Sequence, residues 1–188
     1  YTDFSAQAIE AYPDHEPLFL SVVQSSYAWE NENVDDFIGF TFEVTNVGVA
    51  ALQDVYLGFF ADPDCGPRGG TEIANDDLPG YFAGAVRAKD GSFVPISVAY
   101  QYDADGDNGV TPGYFGMMFL DHPTDPTGET APPSVGITSS QNFSGQAPFD
   151  RGGDPTDDGQ RYELMSREEI DGFSTEESRA NDFRLLLS

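Results

Sequence analysis

The stretch Asp36-Phe-Ile-Gly-Phe-Thr-Phe-Glu-Val-Thr45 carries the clearest structural signal in this chain of 188 residues. Its apolar side chains occupy every second position and are Ile38, Phe40, Phe42 and Val44. Successive side chains of a β-strand point to opposite faces of the sheet. This period of two therefore predicts a strand with one buried face.

The same period, or a short apolar run, recurs on both sides of this stretch. It predicts strands over residues 18–29, 52–61, 93–102 and 114–121, and a further strand over residues 181–188 at the C-terminus. Helical patterns are confined to residues 160–167 and to a capping box at residues 174–177. The chain is therefore rich in short strands and poor in helix.

Long connections rich in Gly and Pro separate the predicted strands, at residues 62–70, 123–133 and 144–160. Many strands with long loops predict an all-β fold, an antiparallel β-sandwich that is Ig-like or jelly-roll-like, with short C-terminal helical segments. A chain of this length fits one domain, residues 1–188. Because it begins at Tyr1 instead of Met, we expect it to be a fragment or module of a longer secreted protein.

The charge balance restricts the partners of the chain. It has 33 acidic residues and 8 basic ones, which gives a formal net charge of −25. Nucleic-acid binding needs clustered Lys and Arg, so a nucleic-acid partner is not expected. The sequence has no apolar run long enough for a membrane-spanning helix, so membrane insertion is not expected either. Self-repulsion at this charge opposes compaction, and bound divalent cations would relieve it.

Three carboxylates at alternate positions follow one of the predicted strands. In Tyr100-Gln-Tyr-Asp-Ala-Asp-Gly-Asp-Asn-Gly109 they are Asp103, Asp105 and Asp107. Carboxylate oxygens are the ligands that Ca²⁺ prefers, and carboxylates this close together repel each other without a cation. The spacing predicts a calcium site. It is not an EF-hand, because Asn108 replaces the required glycine and Tyr114 replaces the closing glutamate.

A calcium ion needs six or more oxygen ligands, so other parts of the chain must contribute. Asp62 and Asp64 come at the end of another predicted strand, and alternation places both side chains on the same side of that strand. Asp77 forms an acidic pair with Asp76 in the loop that follows. We expect the donors Asp62, Asp64 and Asp77 to join Asp103, Asp105 and Asp107. The alternative for each is a solvated turn residue, since Asp is common in turns. Asp154, Asp157 and Asp158 are the candidates for a second site.

Signals for other chemistry are weaker. The chain has two histidines, His15 and His122, and one cysteine, Cys65, which is too few for a zinc site. No nucleophile elbow or distinct carboxylate pair indicates a hydrolase, so the chain is not predicted to be an enzyme. An aromatic platform for sugars is the remaining alternative, weighed against core packing of the same residues. The candidate platform residues are Tyr12, Tyr27, Trp29, Tyr81 and Phe82.

Residues 42–62, read as a hairpin, resemble the immunoglobulin-like, adhesion-related sandwich domains of bacterial surface proteins. The larger pattern, with residues 100–109, 113–116, 153–156 and 161–164, is similar to uncharacterised regions of large secreted bacterial proteins. This resemblance implies an extracellular or cell-surface location. It transfers no catalytic residue, because a fold does not specify a function.

These observations predict a structural, calcium-stabilised extracellular module of a cell-surface or filamentous assembly. Its partners would be other copies of itself or neighbouring surface-protein domains. The alternative is a carbohydrate-binding or accessory domain of a secreted hydrolase, with polysaccharide as the ligand. The C-terminal strand either pairs within the chain, or is followed by more polypeptide, or completes a neighbouring subunit by strand addition.

Overall fold

A computed structural model of the chain describes residues 17–67, 73–110, 113–123, 125, 127–129, 135–145, 147–170 and 180–188. These residues form eight strands and one α-helix: β1 (Leu20–Ala28), β2 (Ile38–Asn46), β3 (Phe59–Ala61), β4 (Asp77–Arg87), β5 (Phe93–Asp103), β6 (Tyr114–Met118), β7 (Ser140–Ser144), α1 (Asp158–Ser166) and β8 (Phe183–Leu187). The strands form three small antiparallel sheets. The expected mostly-β architecture with little helix is confirmed.

The chain divides into two compact units, Tyr1–Val55 and Tyr56–Ser188. The described part of the first unit is the antiparallel hairpin of β1 and β2, in which Val22 pairs with Val44 and Gln24 with Phe42. This register places the alternating apolar residues of β2 on one face of the hairpin. The predicted strand is therefore confirmed, but its predicted buried face is not. The four alternating apolar residues of β2 are between 38% and 64% exposed.

The second unit contains two three-stranded sheets, with strand orders β4-β5-β6 and β3-β8-β7. The long β4 was not predicted from the sequence, because Pro79 and Gly80 interrupt its pattern of strand-forming residues. Proline removes a backbone donor and is tolerated mainly in edge strands. β4 is an edge strand of its sheet, which explains how Pro79 is accommodated.

β8 links the packing of the two sheets because it contributes apolar side chains to both of its faces. Leu185 and Leu187 form one buried cluster with Ala99 and Met117, which belong to β5 and β6. Leu186 points the other way and packs in a second cluster with Phe143 and with Leu164 of α1. The C-terminal strand therefore pairs within the chain, between β3 and β7. This is the first of the three arrangements considered from the sequence.

Helix α1 begins where the sequence supplies a cap. Asp157 adopts an extended backbone, and its Oδ1 accepts a hydrogen bond from the Gln160 N–H at 2.8 Å. An N-cap aspartate satisfies one of the free N–H groups of the first turn. The helix prediction over residues 160–167 is confirmed with a start two residues earlier, and the capping box at residues 174–177 lies outside the described residues.

Two predicted strands are shorter in the structure. The strand expected over residues 52–61 is confined to Phe59–Ala61, and the one expected over 114–121 ends at Met118. Asp54 has a φ of 52°, a left-handed conformation that no regular strand contains. Within the described residues, no helix is long and apolar enough to cross a membrane.

We expect Leu185→Ala to lower the free energy of unfolding by about 2–5 kcal/mol, because it leaves a cavity between the two sheets. Leu185 is only 2% exposed. Leu120→Ala provides the control, since Leu120 is 74% exposed and its truncation should cost less than about 0.5 kcal/mol. Urea denaturation followed by circular dichroism measures both values. Equal losses in the two variants would contradict the assignment of β8 to the core.

Candidate metal centre

The site is built where β5 ends and the chain turns. Asp103, the last residue of β5, accepts hydrogen bonds at Oδ1 from the backbone N–H groups of Asp105 at 3.1 Å and Gly106 at 2.7 Å. Asp105 Oδ1 in turn accepts from the Asp107 N–H at 2.8 Å. Short acidic side chains favour such turns because their oxygens accept hydrogen bonds from backbone N–H groups that no neighbouring strand pairs with.

The next four residues, Gly106 to Gly109, all have positive φ angles between 46° and 88°. Gly, Asn and Asp are the residue types that tolerate this left-handed conformation best. The sequence Gly-Asp-Asn-Gly therefore suits the tight reversal locally. The reversal keeps Asp105 close to the end of β5 instead of letting the chain extend away from it.

Asp76 completes a triad with Asp103 and Asp105. One carboxylate oxygen from each of the three residues lies within 4.8 Å of those of the other two. The Ala104 N–H donates to the Asp76 carbonyl at 2.8 Å, which holds the start of β4 against the turn. Partial burial, together with the negative charges of Asp103, Asp105 and Asp107, raises the pKa of Asp76.

Asp77 lies directly opposite Asp103 in the β4–β5 register and is 1% exposed. Its Oδ2 accepts hydrogen bonds from Gln101 Nε2 at 2.8 Å and from the Cys65 N–H at 3.2 Å. Burial raises the pKa of Asp77 to about 7, although these two hydrogen bonds oppose the shift, and the charges of Asp76 and Asp103 add to it. The sequence placed this residue in a loop, whereas it is the first residue of β4.

Two buried oxygens in this region have no hydrogen-bond partner among the described residues: Asp77 Oδ1 and Gln101 Oε1. Gln101 is completely buried, and its amide nitrogen also donates to the Pro63 carbonyl. Buried polar atoms in native proteins are normally satisfied by protein, water or an ion. Because Asp77, Gln101 and Asp103 share one face of the sheet, these acceptors lie on the same side of β4 and β5 as the triad residue Asp103.

The other two predicted donors form a different group. Asp62 and Asp64 come together with Asp182, again with one oxygen from each within 4.8 Å. A cation of the protein already lies there, because Arg184 Nε is 3.2 Å from Asp62 Oδ2 and its Nη1 is 3.6 Å from Asp182 Oδ1. Of the six predicted ligands, two lie in this triad and two, Asp103 and Asp105, lie in the triad at β5. Asp77 and Asp107 belong to neither triad of the described residues.

The remaining acidic candidates have other contacts. Asp107 belongs to neither triad, and its N–H binds Asp105. Asp157 caps α1, Asp158 forms an ion pair with Arg161, and Asp154 lies 3.5 Å from Arg184. The described residues therefore do not gather Asp154, Asp157 and Asp158 into a second metal site.

Cys65 is half-buried beside the acidic residues, and its thiol donates to the Gln101 carbonyl at 3.5 Å. Burial and the Asp77 carboxylate raise the pKa of this thiol to about 11. A thiol nucleophile reacts as the thiolate, so a raised pKa opposes reactivity. The expectation from the sequence that Cys65 is a packing residue agrees with this environment.

The sequence missed two members of these triads, Asp76 and Asp182, and the buried acceptor Gln101. Asp76 had a detectable signal, since it adjoins Asp77, but its proximity to Asp103 follows from strand register. Gln101 and Asp182 gave no signal, because an amide in a strand and an acid near the C-terminus are common in any domain.

Aromatic residues near the site differ from those expected. Tyr100, Tyr102 and Tyr114 cluster on the face of β5 and β6 opposite Asp103, with the Tyr102 and Tyr114 ring centroids 5.0 Å apart. Of the predicted platform, Tyr12 lies outside the described residues, and Tyr27 and Trp29 belong to the first unit. Tyr81 packs against the core, and Phe82 lies on the other face of β4.

Comparison with protein-family models, characterised proteins and solved structures found no match for this chain. Function is therefore inferred from the chemistry of the described side chains.

We expect the stability of the metal-free protein to fall as the pH rises from about 4 to about 8. The pKa of Asp77 is about 7 in the folded state and 3.8 ordinarily, so its stabilising contribution is complete below about pH 4 and is lost as the pH passes 7. An asparagine side chain does not titrate, so Asp77→Asn should reduce this decline in the free energy of unfolding by roughly 4 kcal/mol. Urea denaturation in the presence of a chelator, repeated across this pH range, measures the loss of stability in both proteins.

Asp90→Asn is the control for this experiment. Asp90 accepts hydrogen bonds from the Ser92 N–H and Oγ, which lower its pKa, so its proton linkage has the opposite sign. That variant should keep the decline between mildly acidic and neutral pH. An Asp77→Asn protein with the pH dependence of the unmodified chain would show that Asp77 is not buried as described.

Proposed function

We propose that this chain is a calcium-stabilised structural module of an extracellular or cell-surface assembly. One observation carries the proposal: carboxylate oxygens of Asp76, Asp103 and Asp105 converge within 4.8 Å of one another. We further propose that the two sheets of the second unit form a β-sandwich whose loops the ion holds in place. The shared cluster of Leu185 and Leu187 with Ala99 and Met117 supports that arrangement.

Electrostatic repulsion is the physical reason to invoke a cation. Two carboxylates about 5 Å apart repel by roughly 3 kcal/mol at an effective dielectric constant of 20. Among the ion pairs between described residues, none involves Asp76 or Asp105. The raised pKa of Asp76 reflects partial burial and this repulsion. At the Asp62 triad, Arg184 supplies a positive charge.

The donor atoms favour calcium over other metals. They are carboxylate oxygens, with no described histidine or thiolate beside them, and hard oxygen donors suit Ca²⁺ and Mg²⁺. Ca²⁺ accepts irregular sets of six to eight oxygens, whereas Mg²⁺ requires a regular octahedron. A turn that supplies acidic residues from one strand end and one adjoining loop fits the more permissive ion. Ligation would order the turn, which is a structural and not a catalytic role.

A secreted location follows from the same reasoning. Weak, partly exposed calcium sites are filled at the millimolar calcium concentrations found outside cells. The strong negative charge and the resemblance of residues 42–62 to adhesion-related domains agree with such a location.

We expect calcium at about one hundred times its Kd to raise the free energy of unfolding by about 2.7 kcal/mol, since it binds the folded state. The melting temperature should rise by roughly 5–10 °C relative to protein in chelator. Asp105→Asn should weaken calcium binding at least about tenfold, because it removes a charged ligand while keeping the oxygen that accepts the Asp107 N–H. Thermal melts and isothermal titration calorimetry provide the measurements.

Asp90→Asn serves as the matched control for Asp105→Asn. Both aspartates are exposed, and each accepts the N–H of the residue two positions later, but they lie at opposite ends of β5. Calcium should stabilise the Asp90 variant as it does the unmodified chain. No difference between calcium and chelator in the unmodified chain would refute the proposal.

The tyrosine cluster favours a second candidate function, carbohydrate binding. Tyr114 is 67% exposed and adjoins Tyr102, the residue that precedes the acidic turn. Exposed tyrosines bind the apolar faces of sugar rings, and their hydroxyls bind sugar oxygens. The rings of Tyr100 and Tyr114 are inclined by 57°, so the cluster is not one flat platform, and we rank this function second.

If the second function is correct, Tyr114→Ala should weaken retention on an immobilised polysaccharide about tenfold. Tyr162→Ala is a suitable control, because Tyr162 is another exposed tyrosine, at 48%, but packs edge-on against Tyr56 elsewhere in the unit. Affinity electrophoresis against a panel of polysaccharides measures the effect. Equal retention of both variants, or none for the unmodified chain, would exclude the tyrosine cluster as a sugar site.

A further inference from the structure

The outer half of the β4–β5 hairpin extends beyond the rest of its sheet. β6 pairs with β5 only from Val98 to Tyr102, whereas β4 and β5 continue to pair as far as Arg87 and Phe93. Within the described residues, the arm formed by residues 83–97 is therefore a two-stranded ribbon. A two-stranded ribbon is only marginally stable by itself, so packing against a partner would stabilise the arm.

One face of the arm is apolar and accessible. Val86 and Val94 pair across the two strands, and each is nearly half exposed. Phe82 lies on the same face, next to the base of the arm, and is 51% exposed. On the opposite face, Phe93 is 71% exposed beside its partner Arg87. Clustered exposed apolar residues on a protein of this charge indicate a contact surface.

The tip of the arm holds two cations, Arg87 and Lys89. Neither Arg87 nor Lys89 takes part in an ion pair between described residues, whereas Arg161, Arg167 and Arg184 all do. Asp90, the nearest acid in the sequence, is occupied by hydrogen bonds from Ser92. Basic residues are a minority on this chain, with 8 against 33 acidic residues.

The two ends of this hairpin therefore carry opposite charge. Asp76, Asp103 and Asp105 lie at one end of β4 and β5, and Arg87 and Lys89 lie at the other. Eleven residues of strand separate the ends by about 35 Å. The cations of one molecule cannot reach its own acidic turn across that length, but they can reach the acidic turn of another molecule.

We propose that the arm of one copy docks on the acidic end of the β4–β5 hairpin of a second copy. The complementary charges and the exposed apolar face of the arm fit this contact, and the two surfaces lie at opposite ends of one element. Such a head-to-tail contact repeats from copy to copy unless it closes into a ring. The inference rests on the assembly role proposed above and supplies its contact.

Side chains, and not strand addition, make this contact. Pro95 lies in the unpaired outer edge of β5, where its missing N–H interrupts the row of donors that an added strand needs. The net charge of −25 opposes the approach of two copies, but at about 0.1 M salt this repulsion is screened beyond about 10 Å. The charges within the contact then decide whether two copies associate.

Sedimentation velocity of the full chain tests the proposal, in calcium and in chelator. We expect concentration-dependent association in about 50 mM salt that weakens in about 500 mM salt. Arg87→Glu should raise the association Kd about tenfold or more. Arg151→Glu is the matched control, since Arg151 is also an exposed arginine outside the described ion pairs and the change in net charge is the same. It should change the Kd less than about threefold.

A charge-exchange experiment separates this contact from general electrostatic effects. Val110→Lys adds a cation at the end of the acidic turn without altering a proposed calcium ligand, because Val110 is 69% exposed and has an ordinary negative φ. We expect Val110→Lys and Arg87→Glu proteins each to associate poorly alone. Their mixture should recover association, because the carboxylate introduced on the arm of one variant then meets the ammonium group introduced on the turn of the other. Circular dichroism melts confirm that each variant is folded.

The outcomes distinguish this inference from the calcium proposal. An unmodified chain that stays monomeric up to about 1 mM, or an Arg87→Glu variant that associates normally, would overturn the docking contact. A mixture that associates no better than its components would also overturn it. Calcium binding measured on the Arg87→Glu variant should remain unchanged. If calcium fails to bind while the charge exchange succeeds, only the metal proposal falls.

Discussion

The pairing of Asp77 with Asp103 across β4 and β5 is the constraint on which the acidic site depends. It buries both residues at the end of the hairpin, and it positions Asp76 beside the turn that follows β5. A slip of one residue would move these side chains to the other face of the sheet. The close approach of like charges is thus a consequence of backbone pairing, and it opposes folding unless a proton or a cation offsets it.

The C-terminal strand connects this site to the core. Leu185 and Leu187 pack on the sheet of β4, β5 and β6, and the Asn181 N–H donates to the carbonyl of Asp77 at 3.1 Å. Arg184 of the same strand neutralises Asp62 and Asp182. Apolar packing of β8 therefore determines which acidic residues the guanidinium group of Arg184 reaches.

Charge on this protein is unevenly distributed as well as large. Arg161, Arg167 and Arg184 form ion pairs between described residues, and the cations at the end of the β4–β5 arm do not. A protein of net charge −25 has few surface regions that attract another negatively charged surface. The arm is such a place, and the acidic turn at the other end of the same hairpin is its complement. As proposed, the acidic end of the hairpin binds the metal and also receives the arm of a second copy, and the cations of that arm lie at the opposite end of the same element.

The sequence alone determined the features that depend on neighbouring residues. Alternation in residues 36–45 identified β2, the pattern over residues 160–167 identified α1, and the spacing of Asp103, Asp105 and Asp107 identified the acidic turn. Side-chain direction in a strand and φ tolerance in a turn are local properties, so a short stretch can encode them.

Only the tertiary structure decided which acids meet. It paired β5 with β4, a strand that Pro79 and Gly80 had kept from being predicted. This pairing brought Asp76, and not Asp62 or Asp64, close to Asp103. The tertiary structure also placed Arg184 beside Asp62, from the far end of the chain. These contacts join residues distant in sequence, and the register and core packing that create them are properties of the whole fold. No local pattern of residues can specify such convergence.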